Sequence, residues 1–356
     1  MTDTSARKTS PAEDPGSSVE QHRAEPAVSG LKTARAPWHR SLVGEETGVL
    51  GALIVLVIVI SAVHPGFLQF HSITSVLRDS AFIGLMAFGM VYLLSMQELD
   101  LSVGSIFGLT ALICAMMIRG GLDPWLSALL ALVIASGLGA LNATIANVFR
   151  LPGIIVTLGT VSVFRGFGLI ISGGAPVTMP TDSSFFDVLG RDILGIPTSI
   201  IVFVVLGVVL HVVYRWTRFG VLVRAVGSNG RAAEYAGIPV RRVRVQTFVL
   251  AATLSGLAGI LSVAFFGTAD PSLGLGQEIV VIAAAIIGGT ALSGGSGTVI
   301  GAMLGAILIT VINAGLVYFG VNANWGTLVT GLVIIGAVAL DSTLRQRLLS
   351  SVRKSA

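Results

Sequence analysis

Residues 279–340 run for 62 positions without one Asp, Glu, Lys or Arg. Few folds tolerate such a stretch. Soluble domains carry roughly a quarter charged residues, because their surfaces face water. A membrane-spanning helix needs about 20 mostly apolar residues and no charged cover. The stretch is too long for two spans and fits three, with breaks expected near 293–297 and 321–324. Seven further apolar runs precede it, at 47–63, 80–96, 101–118, 124–149, 151–172, 199–216 and 245–268. The sequence therefore predicts an all-α, polytopic membrane protein of about ten transmembrane helices, with both termini on one side. Composition agrees: 11% of residues are charged, 53% are hydrophobic and mean hydropathy is +0.89. Such a chain could not cover a water-facing surface of its own size.

Residues 1–40 read differently. They are rich in Ser, Ala, Pro, Glu and Arg and hold no apolar run, so they cannot bury enough surface to offset ordering entropy. They are expected to form a disordered tail and not a signal peptide, since no short apolar core with a small-residue cleavage site follows the charged region. The expected organisation is a tail over 1–40, a transmembrane domain over 41–345 and a short C-terminal tail over 346–356.

Lysine and arginine give the bilayer a direction. Of 22, six lie in the N-terminal tail and four follow Asp341. Seven more (Arg215, Arg218, Arg224, Arg231, Arg241, Arg242 and Arg244) fall between the sixth and seventh spans, and Arg150 lies between the fourth and fifth. All eighteen occupy one side of the predicted topology, which places both termini and the 217–243 loop in the cytoplasm. Arg78, Arg119 and Arg191 are the most that the opposite loops hold, and Asp182, Asp187, Asp192, Asp270 and Glu278 fall there. The formal charge of +4 thus reflects topology and calls for no nucleic acid.

Four features stand out from the apolar background. The first is the basic loop at 220–248. Asn229 can cap a short helix over 231–236, Gly237 can stop it and Pro239 prevents its continuation. Ala232, Ala233 and Ala236 would give that helix a flat face. Either it docks on a partner, or the loop merely sets topology. The second is Glu98–Ser105, ELDLSVGS, where Asp100 or Ser102 can cap the third helix and Gly104 permits close packing; it reads as a pathway break or as an interfacial cap. The third is Arg165, deep within the fifth span. It should face a cavity or a carboxylate, or else snorkel to the interface. The fourth is Gly297, Gly301 and Gly305, at spacing four, a face for close helix approach. The lone Cys114 excludes an intrachain disulfide. The sequence has no phosphate-binding GxxxxGK[ST] loop, no HExxH motif and no histidine cluster, so no catalytic chemistry or metal site is expected.

Four segments occur in order: DLSVGS, TLGTVSVFRGFGLIISGG (157–174), AVGSNGRAAEYAGIPVRRVR (225–244) and IIGGTALSGGSGTVIGAMLGAIL (286–308). Together they resemble the permease subunits of bacterial ribose/xylose-type ABC importers, a superfamily that includes branched-chain amino acid permeases. The resemblance covers about 45–345. It implies a pathway formed by two permease subunits (a homo- or heterodimer), a cytoplasmic ABC ATPase that holds ATP-Mg, and an extracytoplasmic sugar-binding protein. This chain would bind no cofactor. The resemblance assigns 225–244 to ATPase coupling, with Gly227, Asn229, Ala232, Ala233, Glu234 and Gly237 as candidate contacts. Asp100, Ser102, Gly104, Ser105, Arg165 and Glu278 are the pathway or gate candidates. Gln97 and Glu98 stand where the family often has two glycines, and Leu99 replaces Ile. A second acidic residue the family often carries after Glu278 is missing. An amino-acid permease and an ion-coupled secondary transporter are the alternatives; the latter requires partnered carboxylates inside the membrane.

Overall fold

The computed structural model describes residues 46–322 and, beyond them, 325, 326, 328, 329, 331, 332, 335 and 336. The two terminal tails expected from the sequence, and most of the last predicted span, lie outside the described residues. The chain forms α1 (Glu46–Val63), α2 (Phe70–Ser95), α3 (Val103–Arg119), α4 (Pro124–Val148) and α5 (Gly153–Ser172). A long connection follows, with β1 (Val177–Thr178), β2 (Asp192–Ile193) and β3 (Ile196–Pro197). Then come α6 (Thr198–Trp216), α7 (Arg218–Ser228), α8 (Gly230–Tyr235), α9 (Val240–Phe266), β4 (Thr268–Ala269), α10 (Gln277–Ile287) and α11 (Val299–Tyr318).

Among the described residues, seven helices are long and apolar enough to cross a bilayer: α1, α2, α4, α5, α6, α9 and α11. α2 and α9 are the inner pillars. Most of their residues are buried, whereas α1, α4, α5 and α6 keep most of theirs on the outside. α9 packs against α2, α3 and α4, while α2 packs in turn against α11, α10 and α6. Lipid offers apolar side chains the same surroundings as a neighbouring helix does, so close packing and interhelical hydrogen bonds hold such a bundle together. The small residues serve that end. A Cβ at Gly89 would strike the backbone of Ala251 where α2 meets α9, and one at Gly139 would strike Phe248 and Ala252 where α4 meets α9. Between α2 and α6, the Tyr92 hydroxyl donates to the Leu210 carbonyl at 2.6 Å, and the Ser95 and Tyr214 hydroxyls share a bond of 2.7 Å.

The glycine face expected in the last third of the chain sits between α10 and α11. Side chains at Gly301 and Gly305 would overlap the carbonyl oxygens of Gly288 and Ala284. Gly297 falls in the preceding loop, against the Ser95 hydroxyl.

Two boundaries differ from the sequence reading. α2 begins at Phe70, ten residues before the apolar run at 80–96. Its 26 residues span about 39 Å, more than a hydrocarbon core of about 30 Å. Arg78 and Asp79 therefore lie on the helix instead of in a loop. They pair at 3.1 Å, and the Arg78 guanidinium sits 4.2 Å above the Phe265 ring. Neutralising contacts of this kind let a helix run past its apolar stretch. Conversely, α10 has 11 residues, about 16 Å, and cannot cross alone.

Glycine is most tightly constrained at Gly227 in α7. A Cβ there would overlap the Ser95 carbonyl oxygen and sit 2.9 Å from the Gly295 amide. Gly227→Val should lower the thermal unfolding midpoint of the detergent-solubilised protein, by an overpacking cost of about 1–3 kcal/mol. Gly230→Ala, which meets nothing within 4 Å, should leave the midpoint unchanged.

Candidate functional site

Two regions collect the residues singled out in the sequence. The first is the Arg-rich end of the bundle, where α7 and α8 connect α6 to α9. α8 forms for the local reasons anticipated: the Asn229 side-chain oxygen accepts from the Ala232 amide at 3.0 Å, and Gly237 takes φ +80° to end the turn. The Ile238 amide then donates to the Ala233 carbonyl at 3.0 Å, closing the helix end. The six candidate coupling residues divide by exposure. Gly227 and Ala233 are buried against the membrane body, whereas Asn229, Ala232, Glu234 and Gly237 face outward. Side-chain bulk at 233 would therefore lift α8 off its support before it altered the outer face. α7 was not anticipated, nor was the prominence of Tyr235, whose side chain is 93% exposed at the end of α8. The signal for Tyr235 was present: it is the one aromatic residue among the small and polar ones of 225–239.

Beside α8 lies a cleft of about 430 Å³ lined by Glu98, Arg150, Glu234, Arg241 and Arg244 among others. Glu98 and Arg244 form an ion pair of 2.6 Å that is largely shielded from solvent. The other Glu98 oxygen accepts from the Gly153 amide, the first residue of α5, at 3.0 Å. A carboxylate is favoured there, since helix amides and dipole point at it. Arg244 also donates to the Leu151 carbonyl at 3.1 Å and lies 3.5 Å from the Asn147 side-chain oxygen. The Asn147 amide donates to the Arg241 carbonyl at 3.2 Å. One carboxylate thus ties the α2–α3 connection and the α5 N-terminus to the first turns of α9.

The second region is where α3 and α10 begin. After β4, which pairs with β1 (Val177 opposite Ala269), the chain runs without helix from Asp270 to Gly276 along α3. Side chains at Gly108 and Gly104 would overlap the Leu273 carbonyl or press on the Gly274 carbonyl, at 2.5 Å in the latter case. Gly104–Gly108 is a small-xxx-small face that receives an extended backbone instead of a helix. Glu278, in the first turn of α10, lays a carboxylate oxygen beside Gly104. Arg165 reaches from α5 to the Gly274 carbonyl at 3.4 Å and forms no salt bridge among the described residues. Gly104, Glu278 and Arg165 therefore converge. Of the cavity or carboxylate expected for Arg165, no carboxylate pairs with it among the described residues, and its bond goes to a backbone carbonyl. The Gly274 carbonyl also accepts from the Gln277 amide at 3.2 Å, so Arg165 adds a second bond there.

Asp100, Ser102 and Ser105 form a separate buried group. Asp100 accepts from the Ser102 amide at 2.7 Å and from its hydroxyl at 2.5 Å. Ser102 holds the N-cap position of α3 without a capping side-chain bond. The Ser105 hydroxyl donates to the Ser102 carbonyl at 2.9 Å. Asp100 therefore orders the turn before α3 and does not cap the helix itself. Asn142 of α4 completes the group, donating to the Ser102 hydroxyl at 2.8 Å. Its signal was a side-chain amide inside the apolar run at 124–149.

The Asn229 cap provides a local test. Asn229→Ala should cost α8 about 1 kcal/mol, which quickens amide hydrogen exchange across 230–237 about five-fold while α9 stays protected. Unchanged exchange would show that α8 is held by tertiary contacts alone.

Comparison with known proteins agrees with this architecture. Residues 72–338 match the family described as branched-chain amino acid transport system / permease component. The chain is 38% identical to the ribose import permease protein RbsC of Bacillus subtilis over 312 residues, covering 87% of this chain and 97% of that one. It is 37% identical to the probable ABC transporter permease protein YphD of Escherichia coli, over 85% of this chain and 91% of that protein. It is 33% identical to the D-allose transport system permease protein AlsC of Escherichia coli, over 88% and 97%. No solved structure matches the chain. With three quarters of its length matched, this multi-pass membrane protein belongs to the branched-chain amino acid transport system / permease component family.

Proposed function

We propose that this chain is the permease subunit of an ATP-binding cassette importer and forms the membrane pathway for a monosaccharide or related small polyol. The observation that carries the reading is near-full-length similarity to ribose and allose permeases, over 97% of each. The family description also names branched-chain amino acids, but these sugar permeases favour a polyhydroxylated solute.

In this reading the Arg-rich end faces the cytoplasm, because basic residues are retained there, and both termini lie on that side. Ten crossings would be made by the seven long helices, the shorter α3, α10 together with the non-helical segment before it, and a final span expected after residue 324. The chain acts as a transport subunit, not an enzyme. ATP and Mg²⁺ belong to a separate cytoplasmic ATPase, a second permease subunit completes the pathway, and an extracytoplasmic binding protein delivers the solute. α8 is the docking element for the ATPase. It stands outside the bundle on a short base, and Tyr235 supplies the exposed aromatic anchor that protein interfaces favour. At the opposite end, the β2–β3 turn presents Leu194, 98% exposed, toward the side from which the binding protein arrives.

The pathway passes the meeting point of α3 and α10. Irregular backbone at membrane depth is tolerated where it is packed in protein or lines a water-filled cavity. Leu275 and Ser272 on that segment are exposed, and Arg165 beside it carries a charge that lipid would not accept.

Tyr235→Ala should leave folding intact and weaken binding of the purified ATPase by about ten-fold or more, read as a dissociation constant in detergent or nanodiscs. Unaltered affinity would remove α8 from the interface. Uptake of radiolabelled ribose or allose by proteoliposomes holding the complete transporter should require ATP and the binding protein. Uptake driven by an ion gradient without ATP would refute the importer reading.

A further inference from the structure

We propose that the Glu98–Arg244 ion pair is the positioning contact through which movement of α8 reaches the first turns of α5 and α3. The inference rests on the importer reading above and adds to it a route for the motion.

Three observations carry it. First, α8 and Arg244 are mechanically close. Only residues 236–239 separate α8 from α9, and Gly237, the Ala233–Ile238 bond and Pro239 make this connection a tight turn. Arg244 lies little more than one turn into α9. Second, Glu98 belongs to a different body. It sits between α2 and α3, two residues before Asp100, and its second oxygen holds the α5 N-terminus through the Gly153 amide. Gly153 has no space for a side chain, because a Cβ would meet that same carboxylate oxygen and the Phe248 ring. Third, the cleft of about 430 Å³ leaves room between Glu234 of α8 and the ion pair, with Arg150 and Arg241 on its rim. Pressure on α8 can therefore displace the base of α9, and the guanidinium carries Glu98 with it. Because α3 and α5 also pack together, a shift of their starts reaches Gly104 and Arg165, the residues that support the non-helical segment before α10.

A shielded ion pair suits this task better than apolar packing. Apolar contacts are non-directional, whereas this carboxylate has a directed bond on each oxygen. It transmits a pull as well as a push.

The test uses the complete transporter, this chain with its ATPase and binding protein, in proteoliposomes. The readout is radiolabelled ribose, and in parallel allose, taken up per ATP hydrolysed. Glu98→Gln and Arg244→Gln should assemble and hydrolyse ATP, while uptake per ATP falls about five-fold or more, the lower range for coupling between sites. Glu98→Asp, which keeps the carboxylate beside the Gly153 amide, should recover part of the loss. A wild-type ratio in both Gln variants overturns the proposal. So does a loss that the Asp variant does not relieve, or a failure to assemble common to all variants, since the pair would then serve folding alone. If wild-type uptake ignores ATP, the importer reading falls and this proposal falls with it. Wild-type coupling beside an unaffected Glu98→Gln sinks this proposal alone.

Discussion

Backbone carbonyls and amides inside a bilayer have no water to turn to, and that constraint shapes the rest of this molecule. Long helices meet it without help. Asp270–Gly276 is one stretch among the described residues where the chain leaves helix geometry, lying along α3. Its supports are specific: the glycine face of Gly104 and Gly108, the Arg165 guanidinium on the Gly274 carbonyl, and an Asp270 side chain that accepts from the Ser272 amide and hydroxyl at 2.7 and 2.5 Å. In the proposed reading this break lies on the pathway, since irregular backbone inside a membrane is tolerated where it is packed in protein or lines a water-filled cavity.

The same economy governs the Arg-rich end. The loops there pack through glycine and short hydrogen bonds: Gly227 on Ser95, and the Gln97 amide on the Ser293 carbonyl at 2.5 Å. α8 is set apart from this packed floor. Its inner residue, Ala233, is buried, and Tyr235 at its end is almost fully exposed. A small rigid helix, anchored on one side and bare on the other, suits the receipt of force. The Glu98–Arg244 pair supplies a stiff contact between its base and the starts of two membrane helices.

Much of this was legible in the sequence because lipid enforces simple rules. Uncharged runs marked the seven long apolar helices among the described residues, whereas the direction expected from charge asymmetry belongs to the proposed function. Asn229, Gly237 and Pro239 fixed α8 to within a residue, since capping chemistry is local. What stayed hidden depended on partners far along the chain. Nothing near Arg165 announces Gly274 as its acceptor, 109 residues on. Asp100 and Ser102 were the two candidate caps of α3; Ser102 takes the N-cap position, but its hydroxyl bonds to Asp100 and to Asn142 from another helix instead of to the helix amides. The start of α2 was missed because Arg78 and Asp79 read as loop residues until their pairing, with the Phe265 ring beneath Arg78, is seen. The division of the coupling segment into buried Gly227 and Ala233 and exposed neighbours likewise required the packed bundle.

In the proposed reading, ATP-driven motion enters this membrane body at α8. The single native cysteine, Cys114, is buried, so Tyr235→Cys gives a protein with one accessible thiol. A bifunctional cross-linker on that thiol, in membranes holding the complete transporter, should capture the ATPase, with a yield that changes when ATP is added. Capture of the ATPase from Ser184→Cys, at the opposite end of the bundle, with none from Tyr235→Cys, would contradict both the orientation and the role assigned to α8.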